Sequence, residues 1–313
     1  MSITLYFSKL NVNSHIFNVY EAPEKLKQIQ ELILINIRED IEFEQEELRT
    51  HEDGESFVYK ANYRFNSIEK MDASFNYAIT GNLVKKSNLF VNELNEITGE
   101  LTKIPVENTE VIQFYFDVYK ETIAFYRTNR FGYNQFNLAF ENLLNQCMST
   151  EDEKYYFKIS LCNEGLNLEE IESELKKLGK LEKLIIQIIP PNPNSELLNK
   201  INLNGEELLV SYNEGNITTK STLFISKTAS GLNLDATGIK DELDNVGKIH
   251  SELSTKDAIK NGYLTVDAWS KSGRFYTTKN NRPIKDTLEE KPNSIYTFAQ
   301  LCKGKMNALF LKS

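Results

Sequence analysis

Between Phe57 and Thr128 apolar residues recur at every second position: Tyr59, Ala61, Tyr63 and Phe65 alternate with Lys60, Asn62 and Arg64, and Phe75, Tyr77 and Ile79 repeat the pattern. Alternation sends successive side chains to opposite faces of a strand, so this segment buries its aromatic residues as half-exposed β-structure. Thr98-Gly99 and Tyr119-Lys120-Glu121 punctuate it, and residues 112–117 and 122–127 are near enough to pair as a hairpin with a short polar turn. An antiparallel meander is the expected product. The chain has 18 Phe and 15 Tyr in 313 residues, each able to bury ~150 to 250 Å², so a sizeable core can be built.

Elements of other types flank the meander. Residues 3–8 carry no charge and read as a buried first strand. After Pro23, Leu26, Ile29, Ile33 and Ile37 fall at helical spacing with Glu24 in the first turn, where a carboxylate favours the helix dipole. The acidic run 38–55 is polar enough to be a loop or a solvated helix end. A helix from Tyr133 or Asn134 through Gln146, with Asn134 as N-cap, would lay Phe136, Phe140, Leu143 and Leu144 on the sheet.

Residues 155–161 then read as a strand, Asn167 as the cap of a helix over 168–178, Gly179 as its C-terminal glycine, and 184–189 as a second strand. A strand, a helix and a strand in that order predict a right-handed crossover between parallel neighbours. Pro190-Pro191-Asn192-Pro193 stops the second strand and marks the clearest boundary. The expected fold class is α+β: a mixed, largely antiparallel sheet with a ferredoxin-like βαβ unit and helices packed on one face, plus a smaller C-terminal α+β part. The division falls between a core of residues 1–193 and a region 194–313. In that region a short helix at 196–201, a strand at 223–226, a helix at 239–253 and a hairpin, 263–269 to 274–278 around Ser270-Lys271-Ser272-Gly273, are expected.

Several chemistries lack their residues. Neither GxxxxGK[ST] nor GxGxxG occurs, so no glycine-rich phosphate loop follows a strand, and Lys303-Gly304-Lys305 is too short for one. His15, His51 and His250 are each alone, which is not zinc-ligand spacing, and no metal or cofactor is expected. No GxSxG elbow is present. Cys147, Cys162 and Cys302 are widely spaced and odd in number, so they read as reduced thiols. No apolar run reaches the ~18 residues of a bilayer span, and the N-terminus lacks the basic and apolar regions of a signal peptide; a cytoplasmic protein is expected, with no membrane partner.

Charge is uneven. The net charge of −9 argues against a general nucleic-acid coat, yet residues 251–313 hold 11 Lys and Arg against 6 Asp and Glu, a local +5, leaving −14 for residues 1–250. Lys271, Arg274, Lys279, Arg282 and Lys285 form the candidate phosphate-contacting set, with Trp269, Phe275 and Tyr276 interleaved as stacking groups. A nuclease is the competing reading. Its carboxylates and cations would come from Asp117, Lys120 and Glu121, or its polar cluster from Arg127, Arg130, Tyr133 and Asn134.

The hairpin Phe114-Tyr115-Phe116-Asp117 to Ile123-Ala124-Phe125-Tyr126, the Phe131-Gly132-Tyr133-Asn134 step, the strand from Ile185 into Pro190-Pro191-Asn192-Pro193, and Asn261-Gly262-Tyr263 span much of residues 110–280. In these the chain resembles a bacterial family of unknown function found beside mobile-element and phage-defence genes. The order of elements is also similar to that of the phage-exclusion protein RexA and its relatives. What these resemblances imply is a non-enzymatic component of phage exclusion or abortive infection, a homodimer that binds DNA or another nucleic acid, or a defence protein encoded in the same operon.

Overall fold

The alternating segment does form a meander, and it is larger than the periodicity indicated. The computed structural model describes residues 2–22, 24–50, 54, 56–72, 75, 77–94, 101–151, 153–192, 207–249 and 254–310. The helix expected at 196–201, the Thr98-Gly99 break, His51 and His250 lie outside these residues. In chain order the elements are β1 (Ile3–Val12), α1 (Ile16–Glu21), α2 (Glu24–Asn36), β2 (Glu42–Thr50), β3 (Ser56–Lys70), β4 (Ala78–Leu94), β5 (Leu101–Asp117) and β6 (Thr122–Tyr126). They continue with α3 (Tyr133–Met148), β7 (Phe157–Leu161), α4 (Leu168–Lys177), β8 (Leu181–Ile188), α5 (Glu207–Glu214), β9 (Lys220–Ile225), α6 (Thr237–Ile249) and α7 (Thr255–Lys260). The last are β10 (Leu264–Ser270), β11 (Phe275–Thr277), β12 (Lys285–Leu288) and α8 (Ile295–Phe310).

The large sheet has the strand order β12-β1-β6-β5-β4-β3-β2, with β7 also paired to β1 beyond the end of β12. Every strand pair in it is antiparallel. Most of the acidic run is not a loop: residues 42–50 form the edge strand β2, with Phe43 stacked on Tyr63 at 5.8 Å and Lys60 facing Glu46 and lying 3.7 Å from Glu44 on the diagonal. Opposite charges across the ladder offset the mutual repulsion of the glutamates, and a charged edge discourages pairing with other chains.

Helices cover both faces of this sheet, where one face was expected. On one side α3 and α2 bury Phe136, Phe140, Ile29 and Ile33 against Phe65, Phe114, Phe116 and Phe125. The aromatic contacts are close, with Phe125 stacked on Phe136 at 3.8 Å and Phe140 edge-on to Phe114 at 5.0 Å; such pairs contribute ~0.5–1.5 kcal/mol beyond their buried area. On the other side α8 packs Phe298, Cys302 and Met306 on Leu5, Phe7 and Tyr115. No described helix is long and apolar enough to cross a membrane.

The crossover expected between the strands at 155–161 and 184–189 requires correction. β7 joins β1 in the large sheet, while β8 lies in a separate four-stranded antiparallel sheet of order β11-β10-β8-β9. The reason is visible along β8. Leu184, Ile186 and Ile188 are buried and Lys183, Ile185 and Gln187 are half-buried, a one-faced pattern, whereas a parallel strand in a βαβ unit is covered on both faces. The helix between them is as expected: Asn167 and Glu170 form a reciprocal capping box at the start of α4, and Gly179 takes φ +81° at its end. Both sheets cross the boundary placed at residue 193, because β9, β10 and β11 extend the sheet of β8 and β12 extends the sheet of β1.

Candidate nucleic-acid interface

In the small sheet, Leu184, Ile186, Ile188, Leu264, Val266 and Ala268 face a core with Ile171 and Leu175 of α4 and Ile239 and Leu243 of α6. The opposite face has no helix of the described residues on it. By alternation it carries Lys183, Ile185 and Gln187 of β8, Thr265, Asp267 and Trp269 of β10, Phe275 and Thr277 of β11, and Leu223 and Ile225 of β9. Cross-strand register sets Trp269 directly between Phe275 and Lys183. The Trp269 and Phe275 rings lie 4.8 Å apart at 40°, and the Lys183 ammonium stands 4.4 Å above the indole. Phe275 is 52% exposed although it is large and apolar. A tight turn holds the pair: the Ser270 amide donates to the Arg274 carbonyl at 2.9 Å, and Gly273 supplies φ +81°.

The hairpin residues named from sequence divide between the two faces. Trp269 and Phe275 share the open face, and Lys271 is exposed at the turn beside them, its amide donating to the Lys180 carbonyl at 2.9 Å. Tyr276 points the other way; it packs against the inner core, its hydroxyl is buried without a hydrogen-bond partner, and burial pushes its pKa up to about 12. It cannot stack on a base in this arrangement. Arg274 turns back to donate to the Leu178 carbonyl at the end of α4, and Arg282 lies 3.7 Å from Glu170 at the start of the same helix. Both arginines therefore serve the helix side of the sheet. Lys279 is 3.8 Å from Asp267, and Lys285 belongs to β12 at the edge of the large sheet, opposite Tyr6. The strand expected at 184–189 begins three residues earlier, at Leu181, which brings Lys183 into it; the alternation of Lys183, Ile185 and Gln187 with apolar neighbours is the sequence signal for its place on this face.

The positions of the nuclease reading are occupied by structural contacts. Asp117 is buried and accepts from the Lys120 amide at 3.0 Å. Glu121 is also buried, at φ +54°, and its carboxylate meets the Lys9 ammonium at 3.1 Å and the Asn192 amide at 3.1 Å. Asn192 in turn accepts from the Val12 amide at 2.8 Å, so this network ties the chain after β8 to β1. The Arg127 guanidinium lies 5.7 Å from the Tyr6 ring, and the Arg130 carbonyl accepts from Lys85 at 2.8 Å. Gly132, not Asn134, occupies the N-cap of α3, so Asn134 is an exposed residue of its first turn. Among the described residues, no three His, Cys, Asp or Glu side chains gather as metal ligands do.

A cavity of about 300 Å³ lies where α3, β7, the α7–β10 junction and the 3-10 turn Thr278–Asn280 meet. Asn134, Asn137, Ser160, Thr265, Leu138 and Ile159 are among its walls. Gly262 at φ +77° lets the chain pass so near β7 that a Cβ would stand 2.4 Å from Ser160.

Residues 3–299 match the model of a protein family described as a domain of unknown function (DUF4747). No curated protein matches the chain.

Proposed function

Because the chain belongs to the family described as a domain of unknown function (DUF4747), the reading has to come from its own geometry, and we propose that it binds single-stranded nucleic acid across the open face of the small sheet. One observation supports this above the rest: Trp269 and Phe275 stand side by side on a face of the antiparallel sheet that no described helix covers, with the Lys183 ammonium 4.4 Å over the indole. Exposed aromatic rings on a sheet stack unpaired bases, and each stacked base contributes ~1–3 kcal/mol with little regard to sequence. The Lys183 ammonium lies over the indole, so the base would stack on the 52% exposed Phe275 beside it, with the lysine positioned to meet the phosphate. Lys180, Lys183 and Lys271 gather at this end of the sheet, which answers the net charge of −9 locally. Duplex bases are already stacked on one another and offer the rings nothing comparable.

The proposed role is non-enzymatic. A place in phage exclusion or abortive infection, as a homodimer and with a nucleic acid or an operon-encoded defence protein as partner, enters this proposal from the resemblance of residues 110–280 alone. Binding is tested by fluorescence anisotropy with a labelled single strand and its duplex at about 50 and 200 mM salt. The single strand should bind more tightly than the duplex, more weakly at the higher salt, and W269A and F275A should each lower its affinity by roughly 5- to 150-fold. Equal affinity of both variants and the unaltered protein, or no binding by any of them, would overturn the proposal.

A further inference from the structure

The cavity between α3 and β10 adjoins the open face. Thr265, in its wall, lies on the same side of β10 as Asp267 and Trp269, four residues and about 13 Å from the indole along the strand. Lys279 is at once part of the cavity wall and 3.8 Å from Asp267. Thr265 is only 7% exposed, so the open face closes toward the cavity, and a strand leaving Trp269 along β10 meets the cavity at its rim, at the exposed Lys279.

Its walls specify the chemistry. Leu138 and Ile159 supply flat aliphatic surface. Between them stand uncharged polar groups: Asn134, Ser160 and Thr265, and Asn137, whose Oδ1 already accepts from the Ser8 hydroxyl at 2.7 Å while its amide NH₂ is left to donate. The carboxylate present is already matched, because Glu141 takes the Lys158 ammonium at 2.9 Å and the Ile159 amide at 2.8 Å. The ammonium groups of the wall are matched as well, Lys158 by Glu141 and Lys279 by Asp267 at 3.8 Å, so no unpaired charge awaits an ion, and a purely apolar guest would leave the amides and hydroxyls without partners. A neutral, planar group with donors and acceptors on its edge satisfies both requirements. The volume of about 300 Å³ stands at the lower end of the roughly 300–1,000 Å³ of small-ligand pockets.

We propose that this cavity receives one unstacked base of the bound strand and reads its edge through Asn137, Ser160 and Thr265. Aliphatic walls with hydrogen bonds to a base edge are the general means by which proteins hold an extruded base. The inference rests on the single-strand reading above and adds base preference to it.

Two measurements separate the inference from that reading. Saturation-transfer NMR with the four free ribonucleosides, run in a W269A/F275A background that removes the aromatic pair, tests the cavity alone, and anisotropy with labelled homopolymer strands on the protein that keeps the pair tests cavity and aromatic pair together. Leu138 is 40% exposed at the rim, so L138W closes the cavity without disturbing the core; T265V and S160A remove single hydroxyls. One nucleoside should give transfer that L138W abolishes. The homopolymer of that base should bind roughly fivefold or more tightly than the others, an advantage lost in L138W and reduced in T265V and S160A while the weaker homopolymers bind as before. Absence of transfer from all four nucleosides, or transfer that survives L138W, would overturn the cavity proposal even if strands still bind through Trp269 and Phe275. Transfer abolished by L138W, in a protein that binds no strand, would uphold the cavity as a base site and overturn the single-strand reading.

Discussion

Glu121 is held in the left-handed region at φ +54° with its carboxylate buried against Lys9 and Asn192, a costly placement that the network around it compensates. Removing the carboxylate leaves the Lys9 ammonium, only 16% exposed, without its counter-charge. E121A should therefore lower stability in urea by about 3 kcal/mol, whereas a change within ±0.5 kcal/mol, the range of ordinary surface substitutions, would show the network to be dispensable. A second consequence concerns groups buried in protonated form. Burial pushes the Cys162 thiol up to about 12 and raises Cys302, and it raises the Tyr20 and Tyr263 hydroxyls, with each phenol's neighbouring charge adding to the effect. In the unfolded chain thiols ionise near pH ~8.5 and phenols near ~10. Each folded value is above the unfolded one, so this stabilisation is complete below about pH 8.5 and is lost as the pH rises through 8.5 to 12. The Tm should be flat from pH 7 to 8 and fall progressively above about pH 9; a Tm constant to pH 11 would contradict this.

Among the elements, α4 shows most clearly what local sequence can specify. Its capping box, the Glu169 and Glu170 pair in the first turn, the Lys176 and Lys177 pair in the last, and Gly179 are all local signals, and the helix lies where they place it. N167A should cost about 1 kcal/mol, read from the urea midpoint, while N167D, which keeps the cap, should cost almost nothing. An equal loss in both would mean that the cap contributes little. The same locality explains what was not legible. Nothing between residues 155 and 189 states which strand β7 or β8 will pair with, since β1 and β10 lie more than a hundred and about eighty residues away in opposite directions along the chain. The polar Lys183 and Gln187, alternating with apolar neighbours, are the one local mark of a strand covered on a single face. β2 was hidden for a related reason: its glutamates read as a loop or a solvated helix end until Lys60 is placed opposite Glu46, and Tyr63 opposite Phe43, in the next strand.

At the scale of the whole molecule, a large sheet with helices on both faces supports a small sheet with one face that no described helix covers, and that face carries the aromatic pair and leads to the cavity. Half of this site was legible in the sequence. Trp269, Phe275 and Lys271 were found through charge and aromatic interleaving in one hairpin, because a hairpin keeps sequence neighbours together. Lys183, Asn137 and Ser160 come from strands and helices far earlier in the chain, and Arg274, Arg282 and Tyr276 turn to the helix side because alternation and capping, not net charge, set where a side chain points. Trp269 is the only tryptophan in the chain, so its emission reports on this face and nowhere else. The most direct measurement is a titration of the unaltered protein with an unlabelled single strand, following Trp269 fluorescence. Saturable quenching that F275A weakens and added salt reverses is the predicted result; an emission that stays unchanged while the strand is shown by anisotropy to bind, or a strand that does not bind at all, would contradict the aromatic platform.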